Sequence, residues 1–164
     1  MNRSDQHKSR RDDWATPPDV FQELDEQFHF TLDVCASAEN TKCARYFDVE
    51  TDGLLQSWQD EVCFLNPPYG VRSIDAWLEK ATHASRKENA LTVALLPATV
   101  EAHWFQDHVL LSARPFLFWP RRIAFIDPTI HGRFAPVGGS VVVVISENSL
   151  VLKWIREQPW ARAF

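Results

Sequence analysis

The chain has 164 residues, 45% of them hydrophobic and 12% aromatic, with 17 Lys and Arg against 22 Asp and Glu for a net charge of -5. That is enough apolar material for one folded domain with a substantial core, and it excludes a disordered chain. The acidic balance excludes a protein that lives on non-specific DNA affinity, so a nucleic-acid partner would have to be held by local patches.

Cys35, Cys43 and Cys63 are scattered, odd in number and form no CxxC pair. No metal site is therefore expected, and a reducing, cytoplasmic compartment is. No apolar run approaches the roughly 18 residues of a membrane span, so no membrane partner is expected.

Taken in order, residues 1–13 are polar and carry Arg3, Lys8, Arg10 and Arg11. They read as a flexible basic tail, either solvated or an arm that touches phosphate. Residues 14–164 read as a single domain. Thr16 can cap a helix and Pro17 can open it, and Val20, Phe21, Leu24 and Phe28 recur at helical spacing, which predicts a helix from Pro18 to Gln27. Phe30 to Cys35 is strand-like and carries Asp33, followed by the small residues Ala36-Ser37-Ala38. Residues 44–47 read equally as a short strand or one helical turn. Val62 to Leu65 predicts a strand ending in Asn66-Pro67-Pro68-Tyr69-Gly70.

An amphipathic helix is expected from Ser73 to Lys87, a strand buried on both faces from Ala90 to Pro97, and a further helix from Glu101 to Leu111. Arg114 to Trp119 and Ser140 to Ile145 read as strands. Between them an alternating segment, Arg121 to Pro128, suggests an outer hairpin, followed by a loop with Arg133. Val151 to Glu157 reads as a closing helix. Strands alternating with helices from 30 to 111 imply an α/β fold with a mainly parallel sheet and helices on both faces. Ligands of such sheets lie beyond the carboxyl ends of the strands, where both Asp33 and Asn66 are placed.

The residue types at Asn66 to Tyr69 suit one kind of chemistry. The lone pair of an exocyclic amine on a planar base is delocalised into the ring. An Asn side-chain oxygen and a main-chain carbonyl accepting its N–H groups favour a pyramidal, nucleophilic nitrogen. Pro67 has a carbonyl and no N–H, Pro68 stiffens the turn, and Tyr69 offers a stacking ring. Asp33 reads either as a ligand contact or as a cap of the following turn, and Asp52 either as a ligand contact or as a turn acid before Gly53. Arg121, Arg122 and Arg133 read as a solvated face or as phosphate contacts.

Trp14-Ala15-Thr16-Pro17, then Phe30 to Ala36, then Asp52-Gly53-Leu54 with Trp58, then Asn66 to Tyr69, resemble the small phage-type DNA N6-adenine methyltransferases. The likeness extends through Arg122 to Phe125 and the Gly139-Ser140 pair. It implies a Rossmann-like class I methyltransferase fold over residues 14–164, S-adenosyl-L-methionine as donor, and double-stranded DNA as partner, with a homodimer allowed. By the same resemblance Trp14, Thr16, Pro17, Asp33, Ala36, Asp52, Leu54 and Asn66 would contact the donor. Asn66, Pro67, Pro68 and Tyr69 would form the target-base site, and Asp48 is the candidate for the ribose. The glycine-rich form of the first donor motif is absent. The same Asn-Pro-Pro-Tyr arrangement serves RNA or a protein amide nitrogen as acceptor, and a non-catalytic DNA-binding module of this fold is the alternative outside enzymes.

Overall fold

Two faces of apolar side chains build the sheet. In the computed structural model, which describes residues 14–68, 74–127, 132–134 and 138–159 and gives 132–134 as backbone only, three strands lie parallel. They are β1 (Leu32–Asp33), β2 (Val62–Leu65) and β3 (Leu91–Pro97), with Asp33 opposite Phe64 and Leu65 opposite Ala94. Two more complete the sheet, β4 (Phe116–Phe118) and β7 (Ser140–Ile145), in the order β1-β2-β3-β7-β4. Side chains alternate between the faces because the strand period is two. Cys63, Leu65, Ala94, Leu96, Val141 and Val143 pack on one side, and Phe64, Val93, Leu95, Val142 and Val144 on the other.

Helices cover both faces, as expected for strands this apolar. The first face is covered by α2 (Ile74–Lys87) through Ile74, Trp77, Leu78 and Ala81, and by the segment from α3 (His103–Phe105) through Trp104, Phe105 and Val109. The second is covered by α1 (Pro18–Phe28) through Val20, Leu24 and Phe28, and by Ile155 of α4 (Ser149–Arg156).

The sheet is mainly parallel in strand direction but not wholly so: β1, β2, β3 and β4 run one way, and β7, antiparallel to both β3 and β4, runs against them. A parallel neighbour needs a crossover that carries the chain back to the starting edge. Here the chain leaves β4 and returns without crossing, since Trp119 N–H donates to Ser140 O at 2.8 Å where β7 begins. The intervening residues include an antiparallel pair, β5 (Phe125–Asp127) and β6 (Gly132–Phe134); its first strand falls in the segment expected to form a hairpin, its second in the Arg133 segment expected to be a loop.

Three other expectations change. Residues 34–61 contain no helix, and the ambiguous 44–47 segment is strand-like, with a single parallel bridge from Tyr46 to Asp33. The helix expected from Glu101 to Leu111 is one α-turn followed by a π-helical turn, Gln106–Leu110, in which Leu111 N–H reaches back five residues to Gln106 O at 2.9 Å. Thr16 does not cap α1: the N-cap is Pro17, with no side-chain cap, and Pro18 opens the helix. No helix among the described residues is long and apolar enough to cross a membrane.

Candidate active site

A cleft of about 410 Å³ opens at the carboxyl ends of β1 and β2. Its walls include Trp14, Thr16, Asp33, Ala36, Asn66 and Pro68. The register explains the meeting of acid and amide. Asp33 pairs with Phe64, so Asn66 stands two residues further along the neighbouring strand, roughly 7 Å in strand rise.

Asn66 is held from fifty residues away. Its Nδ2 donates to Thr16 Oγ1 at 3.1 Å and to Trp14 O at 3.3 Å. The segment that supplies both acceptors is itself paired to the hairpin. Ala15 N–H donates to Ile126 O at 2.9 Å, Ile126 N–H donates to Ala15 O at 3.0 Å, and the Trp14 and Phe125 rings stack at 6.4 Å. Thr16 is buried at 2% exposure, and its hydroxyl, which local sequence rules assign to the helix end, is spent on Asn66.

Asp33 is also buried, at 3% exposure, and its carboxylate ties down the loop that follows. Oδ2 accepts the Lys42 N–H at 3.0 Å and Oδ1 the Cys35 N–H at 3.4 Å. It thus caps its turn and lines the cleft at once. Burial raises its pKa from 3.8 to about 6, against the opposing backbone N–H groups of Lys42 and Cys35 and the Lys42 charge. Burial lowers the pKa of Lys42, with the Asp33 charge acting the other way.

The cleft also takes in Ser37, from the small-residue stretch after Asp33, and residues that the sequence did not single out: Asn40, Lys42, Val49 and Phe64. The loop folds over Asp33 because Ser37 N–H donates to Asn40 Oδ1 at 2.7 Å, closing a turn that a Ser–Asn pair three residues apart signals.

Among the described residues that line the cleft, Pro17, Asp52 and Leu54 do not figure. Pro17 is buried at the start of α1, and Leu54 packs against the core beneath the sheet. Asp52 takes a left-handed φ of 53° and accepts the Leu54 N–H at 3.2 Å. Gly53 explains this turn, since a Cβ there would overlap Val34 O at the end of β1. Trp58, fully buried, donates from Nε1 to Gly53 O at 2.9 Å. The Asp-Gly-Leu and Trp58 pattern therefore seats the loop on β1. Asp48 closes a turn with Thr51, whose N–H donates to Asp48 Oδ1 at 2.8 Å.

Pro67 is buried beside the cleft, and Tyr69 and Gly70 lie outside the described residues, as do residues 1–13 and the side chain of Arg133. Arg121 is exposed; its Nη2 pairs with Glu23 Oε2 of α1 at 3.0 Å, and its guanidinium lies 5.4 Å from the Trp119 ring centre. Arg122 is exposed.

The family model described as DNA N-6-adenine-methyltransferase matches residues 3–151. The chain belongs to the DNA N-6-adenine-methyltransferase family. Two similar relatives bear that name. One, from Haemophilus phage HP1 (strain HP1c1), is 33% identical over 130 residues, covering 77% of this chain and 73% of its own length. The other, from Escherichia phage T1, is 33% identical over 99 residues, covering 59% of this chain and 40% of its own length. The family match spans both the Trp14–Thr16 segment and Asn66, so the clamp between them lies wholly inside the region that resembles this methyltransferase family.

Proposed function

We propose that this cleft transfers a methyl group from S-adenosyl-L-methionine to N6 of a specific adenine in double-stranded DNA, on a Rossmann-like class I methyltransferase scaffold. The observation that carries the reading is the Asn66 amide, oriented by Trp14 O and Thr16 Oγ1 at the end of β2, beside the Asp33 carboxyl at the end of β1.

The cleft suits the donor. Its volume falls in the range of small-molecule sites, at roughly 300–1,000 Å³. Ala36 and Ser37 let a ligand approach the backbone. Asp33 places a buried acid where a cationic group would be favoured, Lys42 stands ready for a carboxylate, and Trp14, Phe64 and Val49 offer apolar contact. When bound, the donor supplies an electrophilic methyl group, so the acceptor needs positioning more than a strong base.

The chain's own residues supply that positioning. With Nδ2 turned toward Trp14 O, the Asn66 Oδ1 lies at the opposite end of the amide and is suited to accept N6–H. The Pro67 carbonyl is the second acceptor in this reading, and Tyr69 stacks on the base for about 1–3 kcal/mol. The adenine leaves the duplex to reach them, at a cost of a few kcal/mol. Arg121, Arg122 and Arg133 contact backbone phosphates. Incubation with methyl-labelled S-adenosyl-L-methionine and unmethylated duplex DNA is expected to label N6 of adenine. No transfer above an Asn66→Ala control, or transfer only to RNA or to a protein amide run in parallel, would overturn the reading.

A further inference from the structure

We infer that Thr16 is a positioning residue for Asn66, holding the amide in the plane where Trp14 O fixes which end meets the acceptor nitrogen, and that the β5–β6 hairpin keeps both acceptors there. The inference rests on the reading of Asn66 as the group that contacts the target amine. An Asn amide is nearly symmetric in shape and opposite in hydrogen bonding at its two ends, so a turn of about 180° would present donors where acceptance is required. An exocyclic amine facing those donors would lose its contact.

The structure biases the amide against that turn. Nδ2 carries two hydrogens and two acceptors meet it, Trp14 O at 3.3 Å and Thr16 Oγ1 at 3.1 Å. A carbonyl cannot donate, so the reversed amide would set Oδ1 against Trp14 O. Thr16 supplies the shorter of the two bonds. Its backbone cannot drift, because the residue before it is bonded in both directions to Ile126 of the hairpin.

The resemblance alone would give Thr16 to the donor, and the two roles separate kinetically. Thr16→Val keeps the shape and deletes the acceptor. It is expected to lower kcat about tenfold, the factor that corresponds to one hydrogen bond, while the dissociation constant for S-adenosyl-L-methionine, measured by calorimetry, changes less than about twofold. Thr16→Ser, which keeps the hydroxyl, should restore most of kcat. An unchanged kcat in Thr16→Val, or a weakened donor affinity at unchanged kcat, would overturn the inference. If Thr16→Val does not fold, Thr16→Ala against Thr16→Ser gives the same comparison. Asn66→Ala run alongside separates the two levels: an active Asn66→Ala removes the reading of the site itself, whereas an inactive Asn66→Ala beside a fully active Thr16→Val removes only the role of Thr16.

Discussion

The two strand ends that meet in the cleft are built on opposite principles. Asn66, at the end of β2, is a neutral amide held from a distant segment and braced by a hairpin. Asp33, at the end of β1, is an ionisable group held by its own following loop, and burial has moved its titration to about 6. The amide end is specified for orientation and carries no charge to vary with pH. The acid end is specified for charge and changes with pH just below neutrality. On the proposed reading, the first end aims the planar amine and the second favours the donor's cationic group.

The sharpest way to break this comparison is Asn66→Ala. Loss of an oriented polar group at the reacting centre is expected to lower kcat by about 10²–10³, with donor affinity little changed, in single-turnover assays. If donor affinity fell instead, the two ends would not be divided in function.

The next largest effect is the pH dependence of Asp33. In the folded protein it titrates near 6 and ordinarily at 3.8, so the fold holds this proton more tightly than the unfolded chain does. Its contribution to stability is therefore complete below about pH 4 and is lost as pH rises through 6, a span of roughly 3 kcal/mol. Donor affinity should run the other way, weakening as pH falls below 6 because a protonated Asp33 no longer favours a cation. Asp33→Asn is expected to flatten both profiles in urea unfolding and calorimetric titration. A donor affinity that keeps its full pH dependence in Asp33→Asn would remove Asp33 from the site.

Gly53→Ala tests the scaffold under the acid end. The new Cβ meets the Val34 carbonyl, and overpacking of this kind costs about 1–3 kcal/mol, readable as a lower urea midpoint at unchanged slope. Unaltered stability would show that the loop adjusts without strain.

The smallest effect is expected at Arg121→Ala. Its pair with Glu23 is about half exposed on both sides, so stability should change by less than about 0.5 kcal/mol. The slope of log DNA affinity against log salt should fall by about 1 if Arg121 reaches a phosphate.

Much of this was legible in local sequence. The β2 strand and its Asn66 end were readable because four apolar residues run into an amide and two prolines that cannot extend a sheet. The alternation that put helices on both faces was equally readable from β3 and β7. The direction of β7 was not, because a run of valines has the same pattern whichever way it runs, and only the return from β4 without a crossover made it antiparallel. The π-helical turn was hidden for a similar reason, since apolar spacing over one turn does not distinguish hydrogen bonds that span four residues from those that span five. Asp52 and Gly53 were visible as a motif, yet their packing under β1 depended on Val34, nearly twenty residues earlier in the chain.

By itself the sequence placed the amide and the acid at strand ends and pointed to a planar amine as the class of acceptor that an Asn-Pro-Pro-Tyr motif suits. Tertiary structure alone decided how those groups are held. Thr16 stands beside a helix start, where local rules assign it to a cap, and it bonds instead to a residue fifty positions away. Local rules see only the few residues on either side, whereas the orientation of a buried amide depends on whatever the fold brings against it.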